Sequence, residues 1–257
     1  MRRVRDQVAR SRRPPEGRPQ DRSARIADAG ITLLRTSGDN EIWCRCDGGR
    51  SGAAQAHADP LSVEVRYAGA DILAYPGTFC SDGERWWPVG GTRTREIEVL
   101  DDGDIASWTA EYGGYASADP SVLYRRSVLL DRASRSIDII DQLVGGSYDI
   151  RLAFHLGSGV RAELDESCAV LCWPTASRPG TARLELPLGL RWSLSRDIPA
   201  TTLLGCGRCA AEVPLVARLE FLDADQPGKS AVSRRAISWT TSVAPSGEAP
   251  EIQAEAR

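Results

Sequence analysis

Val63-Glu64-Val65-Arg66-Tyr67-Ala68-Gly69-Ala70-Asp71-Ile72-Leu73-Ala74 reads as two short strands joined by a glycine turn. Successive strand side chains point to opposite faces, so Val63, Val65 and Tyr67 fall on one side of the pleat and Glu64 and Arg66 on the other. Branched and aromatic residues in short runs, bounded by Gly or Asp, make this a β-hairpin with one wet and one buried face.

The same grammar extends in both directions. Upstream stand Ile31 to Leu34 and Ile42 to Cys46. Downstream stand Glu96 to Leu100, Ile105 to Tyr112, Val122 to Leu130, Ser136 to Leu143, Ile150 to Leu156, Val160 to Leu164, Ala169 to Trp173, Ala182 to Leu186, Leu190 to Leu194, Leu215 to Phe221 and Ala236 to Thr240. Arg183-Leu184-Glu185-Leu186 shows the alternation in its plainest form. No amphipathic helix longer than about three turns interrupts the series. Short strands at roughly 8–12 residue spacing predict an all-β fold, a large antiparallel two-sheet β-sandwich.

Composition marks out three segments. Residues 1–27 begin with an arginine-rich, Pro-containing stretch lacking apolar periodicity and read as a disordered basic leader or connector. Residues 28–242 carry the strands. Residues 243–257 are rich in Pro, Glu and Ala and read as a disordered tail.

The chain has 257 residues, enough for one large β domain. A formal charge of −3 and a pI near 5.6 argue against nucleic acid as a partner. An anionic polysaccharide is met by a local basic cleft, which net charge does not report. Lys229 is the only lysine, so the cations are almost all arginine. Guanidinium forks suit carboxylate and sulfate groups, and a GC-rich coding bias produces the same imbalance. No apolar run reaches the ~18 residues of a membrane span, and the charged N-terminus lacks the apolar core of a signal peptide. As sequenced, the chain is expected in the cytoplasm.

The seven cysteines form an odd set, which fits reduced thiols better than a disulfide framework. Cys206-Gly207-Arg208-Cys209 has zinc-knuckle or redox spacing, and Cys44 and Cys46 offer two further thiols. Period-two spacing also places Cys44 and Cys46 on one strand face, where small apolar side chains serve packing.

The chemistry-bearing stretch is Gln55-Ala56-His57-Ala58-Asp59-Pro60-Leu61-Ser62, followed one hairpin later by Tyr75-Pro76-Gly77-Thr78. It holds one of only two histidines, on a loop entering a strand. In isolation a His beside an Asp fits a hydrogen-bonded loop pair as well as a base or ligand. The order His-Ala-Asp-x-Leu-Ser, strand, Gly turn, strand, Pro-Gly-Thr-aromatic resembles the heparinase II/III-like C-terminal domain of polysaccharide lyases acting on uronic-acid glycans. With Asp28 to Arg35 and Arg151 to Leu156, the likeness runs from about Asp28 to about Ser242.

That resemblance implies β-elimination, in which the uronate carboxylate is neutralised, a base removes the α-proton and an acid protonates the leaving oxygen. It implies a catalytic His at Gln55. It also implies a structural metal, usually zinc, held at His57, Tyr75 and a position near Thr94. Here Gln55 is an amide that does not titrate, and of the three metal positions His57 alone keeps a ligating type. Tyr75 would have to ionise from a pKa of about 10. No cofactor is therefore expected, with zinc entering by family resemblance only. The family's other catalytic groups belong to an N-terminal α-helical toroid, so the resemblance predicts a truncated or stand-alone domain that is inactive unaided. Its members are often periplasmic or secreted.

Glu84-Arg85-Trp86-Trp87 can stack on a sugar ring and pair with a uronate, or can bury one indole and leave the other at the surface. Arg85, Trp86, Trp87 and Arg95 are thus the candidate substrate-binding residues. His155 alternates with Phe154 and reads as a satisfied sandwich residue, and Tyr112 and Tyr115 flank a Gly-Gly turn that serves a glycan or a plain hairpin. The expected partner is an acidic polysaccharide, joined where activity survives by a separately encoded α-toroid. The rivals are a live lyase with rewired residues and a non-catalytic acidic-glycan-binding module.

Overall fold

The computed structural model describes residues 23–26, 29–49, 61–75, 94–113, 123–175, 179–196 and 201–222, together with the backbone of 254–256. All regular structure among them is β. A five-stranded antiparallel sheet runs β1 (Ala24–Ile26), β2 (Ile31–Arg35), β3 (Ile42–Asp47), β4 (Val63–Tyr67), β5 (Ala70–Leu73) in chain order. The opposing layer has eight strands. They are β6 (Thr94–Asp101), β7 (Ile105–Tyr112), β8 (Leu123–Asp131), β9 (Ser136–Val144), β11 (Arg161–Asp165), β12 (Cys168–Trp173), β13 (Gly180–Glu185) and β16 (Leu215–Phe221), in the spatial order β11-β12-β13-β16-β9-β8-β7-β6. A four-stranded sheet of β10 (Tyr148–His155), β14 (Arg191–Ser195), β15 (Thr202–Cys209) and β17 (Ala254–Ala256) completes the fold in the order β14-β15-β10-β17.

The five- and four-stranded sheets meet edge to edge. Leu73 bridges Leu156, the Ala74 amide donates to the His155 carbonyl at 2.9 Å, and the Gly157 amide donates to the Ile72 carbonyl at 3.1 Å. Both sheets contribute to a single core with the eight-stranded sheet. Burial follows the alternation: Ile42, Cys44 and Cys46 are fully buried on β3, as are Ala106, Trp108 and Ala110 on β7. Tyr67 stitches the layers, stacking on Phe221 at 4.7 Å and meeting Trp173 edge-on at 5.6 Å. The β4–β5 hairpin turns at Ala68 and Gly69, both at positive φ, and sits at the joint between the two smaller sheets.

The sandwich is as expected, with three local corrections. Ala24–Ile26 pairs with β2 although the sequence placed it in the leader. Ala254–Ala256, within the segment whose composition reads as a disordered tail, pairs in parallel with β10. The Cys206–Cys209 stretch is strand, because β15 pairs on both sides, with β14 and β10. Cys209 is buried and Cys206 half-buried. An offset of three along a strand sends the two thiols to opposite faces, so they do not converge on one ion. Ala236 to Thr240 lies outside the described residues.

Candidate functional site

Several chain segments converge on one end of the sandwich. β3 leaves there at Asp47, the chain returns at Leu61, and the Asp47 amide donates to the Ser62 carbonyl at 3.0 Å. Gly30 turns there with φ +67°, and a Cβ on it would stand 2.3 Å from the Gly49 Cα, so only glycine fits. On the opposing layer the same end carries Thr94, Tyr112 and Tyr124, which are register partners across β6, β7 and β8.

Two contacts clamp the layers together. Thr94 Oγ1 donates to the carbonyls of Gly48 and Gly49, at 2.7 and 2.5 Å. Arg126 Nη1 donates to the Leu61 carbonyl at 3.0 Å. Leu61 is fully buried with φ +65°, a left-handed backbone that a branched side chain rarely adopts. The conformation is held because Arg126 is itself fixed. Its Nε and Nη2 donate to the two oxygens of Asp141 at 2.6 and 3.0 Å, and Tyr124 Oη donates to the same carboxylate at 2.7 Å. The side chains of Arg126 and Asp141 are 13% and 6% exposed, so this is a buried, fully engaged ion pair. Close by, the Cys44 and Cys46 sulfurs lie 3.9 Å apart, and burial, then the Cys44 contact, pushes the Cys46 thiol well above its ordinary range.

The outer face of the same strands carries a second cluster. Glu111 accepts from Arg95 Nη2 at 2.7 Å and from Arg125 Nε and Nη2 at 2.9 and 2.5 Å. Burial alone would raise the Glu111 carboxyl, but the guanidiniums of Arg95 and Arg125 outweigh it and hold it below the usual range.

Of the candidates read from sequence, Gln55, His57, Arg85, Trp86 and Trp87 lie outside the described residues. Thr94 and Arg95 are neighbours at the start of β6 on opposite faces, Thr94 in the clasp between the layers and Arg95 in the outer cluster with Glu111. Tyr75 follows β5 beside the junction with β10. His155 behaves as a satisfied residue: its Nδ1 lies 2.9 Å from Thr202 Oγ1, and burial lowers its pKa. Tyr112 is a buried core residue at the end of β7 and offers no ring to a glycan.

The described family metal positions do not fit zinc. The Thr94 hydroxyl is already spent on two backbone carbonyls, and Tyr75 offers a phenol in place of a carboxylate. Among the described residues, no three His, Cys, Asp or Glu side chains cluster as a metal site.

Sequence reading missed Glu111, Arg125, Arg126 and Asp141. A signal for Asp141 existed, since Ile137, Ile139, Asp141 and Leu143 share a strand face, and a carboxylate in an apolar row demands a buried partner.

Residues 88–196 match the family model described as heparinase II/III-like, C-terminal. The matched stretch contains Thr94, Arg95, Glu111, Arg125 and Arg126 and lies beyond the Gln55–Thr78 motifs. Among solved structures, the fold is similar to the heparan sulfate lyase HepC from Pedobacter heparinus, with a TM-score of 0.62 at 13% identity over 81% of this chain and 38% of that one. A mutant of HepC gives 0.64 at 13% identity over 80% and 37%. At that identity the likeness is one of fold. The chain thus spans 37% and 38% of the length of these lyases. No curated protein matches it.

Proposed function

We propose that this chain, a sandwich resembling the heparinase II/III-like C-terminal domain, forms the glycan-contacting half of a lyase cleft and does not carry out β-elimination on its own. The observation that carries the reading is Thr94. At the position the family resemblance assigns to a metal-binding histidine, its hydroxyl clasps the Gly48 and Gly49 carbonyls, a structural contact between the layers in place of metal ligation. Gln55, at the position of the catalytic histidine, neither accepts nor donates a proton at neutral pH.

Eliminating across a uronate needs carboxylate neutralisation, a base and an acid. This chain supplies guanidiniums for the first through Arg95 and Arg125. With Gln55 at the position the resemblance gives to a catalytic histidine, base and acid must both come from outside this chain, with an α-helical toroid as the proposed source. No step is assigned to zinc, because Tyr75 and Thr94 do not fit it.

The test is absorbance of unsaturated uronate ends from the purified chain with heparan sulfate, heparin, alginate and hyaluronan. No product is expected, and steady product formation that is lost in His57→Ala would overturn the reading. A second reading, acidic-glycan binding without any part in catalysis, is favoured by Arg95, whose side chain is 72% exposed while Glu111 holds it in place.

A further inference from the structure

Arg95, Glu111 and Arg125 stand in one cross-strand row, Arg95 opposite Glu111 and Glu111 opposite Arg125. The Glu111 side chain is 5% exposed, whereas Arg95 is 72% and Arg125 34% exposed. A buried carboxylate thus forms the floor between two guanidiniums that rise toward solvent. Each guanidinium ties Glu111 to a different neighbouring strand, Arg95 from β6 and Arg125 from β8, and two guanidiniums on one carboxylate leave the cluster net positive. A guanidinium has five N–H donors. The cluster's internal bonds use Nη2 of Arg95 and Nε and Nη2 of Arg125, leaving both Nη1 groups outside them.

We propose that Arg95 and Arg125 form a two-pronged subsite for the carboxylate or sulfate of an acidic glycan, with Glu111 as the positioning residue that holds the guanidiniums. The glycan as source of the anion rests on the function proposed above; the anion chemistry rests on the cluster itself. Planar forks match carboxylate and sulfate geometry, and fixing them beforehand removes the ordering entropy that a free arginine loses on binding. The prongs are anchored at their base, because the neighbouring Thr94 ties the start of β6 to Gly48 and Gly49.

The test is calorimetric titration of the full chain with a heparan sulfate hexasaccharide and with an alginate hexasaccharide, which carries carboxylates only. Arg95→Ala, Arg125→Lys and Glu111→Gln are each expected to weaken binding about tenfold. Arg183→Ala, an exposed arginine on β13, is expected to leave it unchanged. Glu111→Gln is the discriminating variant: it adds net positive charge, so a diffuse electrostatic surface would bind more tightly. Equal or tighter binding by folded Glu111→Gln overturns the proposal. If that variant does not fold, Arg125→Lys keeps the charge while losing the fork, and unchanged affinity there overturns it. Losses with both glycans assign a carboxylate, and losses with heparan sulfate alone assign a sulfate; either supports the subsite. Binding to neither glycan by the wild-type chain also overturns it, independently of the cleavage assay. Binding that ignores all three variants removes the subsite and leaves the glycan reading standing.

Discussion

Arg125 and Arg126 are consecutive in β8 and point to opposite faces of the eight-stranded sheet, and each meets a carboxylate on a neighbouring strand. Inside, Arg126 and Asp141 close on each other, with Tyr124 and the Leu61 carbonyl taking up further bonds. Outside, Glu111 is the buried member and its two arginines reach toward water. The chemistry is the same and the consequence differs. A guanidinium that ends on protein acceptors seals the sandwich, and one anchored by only some of its donors is prepared for a ligand. A strand period of two is enough to separate the roles.

The largest expected effect breaks the inner pair. Asp141→Ala leaves the Arg126 guanidinium buried without its counter-charge and should lower unfolding free energy by about 3–5 kcal/mol in chemical denaturation. Replacing both members, Arg126→Met with Asp141→Leu, should return stability to within about 2 kcal/mol of wild type, since an apolar pair avoids the desolvation that the ions suffer. A double variant as unstable as the single one would show that charge pairing is not what holds this end together.

Glu111→Gln tests the outer cluster more gently. With one partner largely solvated, the loss should be about 1–2 kcal/mol. Its pH dependence has a definite sign. The folded carboxyl is held below its ordinary value of 4.5, so the unfolded chain takes the proton more readily. The stabilisation is therefore complete above the unfolded value and fades as pH falls through the folded one. The stability gap between wild type and Glu111→Gln should be constant near neutrality and narrow in acid; a gap that widens in acid would reverse the assignment.

Thr94→Val probes the clasp between the clusters, removing a hydroxyl from two carbonyls at near-constant volume. A loss of about 1 kcal/mol is expected, with faster amide exchange at Gly48 and Gly49. His155, whose Nδ1 pairs with Thr202 outside both clusters, supplies the smallest effect. Burial depresses its pKa below 6.5, so its contribution is intact above that value and declines as pH falls below it. His155→Gln should flatten the acid limb of the stability curve by less than about 1 kcal/mol, and an unchanged acid limb would mean that another group sets it.

The strands are visible in the sequence because alternation reports burial directly. Ile105 to Tyr112 and Leu215 to Phe221 coincide with β7 and β16. β15 escaped because its glycines and cysteines, in Leu204-Gly205-Cys206-Gly207-Arg208-Cys209, resemble a motif more than a strand. Gly205 is in fact glycine because Trp192 lies over it, with a Cβ there only 2.7 Å from the indole. Of the site, the sequence shows Arg95 as a cation near aromatic residues. It does not show Glu111 beneath it, because which carboxylate opposes which arginine depends on register, and register is a property of paired strands.

The division between sealing and presenting clusters is tested most directly by one heparan sulfate hexasaccharide titration, run in parallel on the Arg126→Met/Asp141→Leu double variant and on Glu111→Gln. The double variant should bind like wild type, and Glu111→Gln about tenfold more weakly. Wild-type affinity in Glu111→Gln together with lost affinity in the double variant would contradict the division.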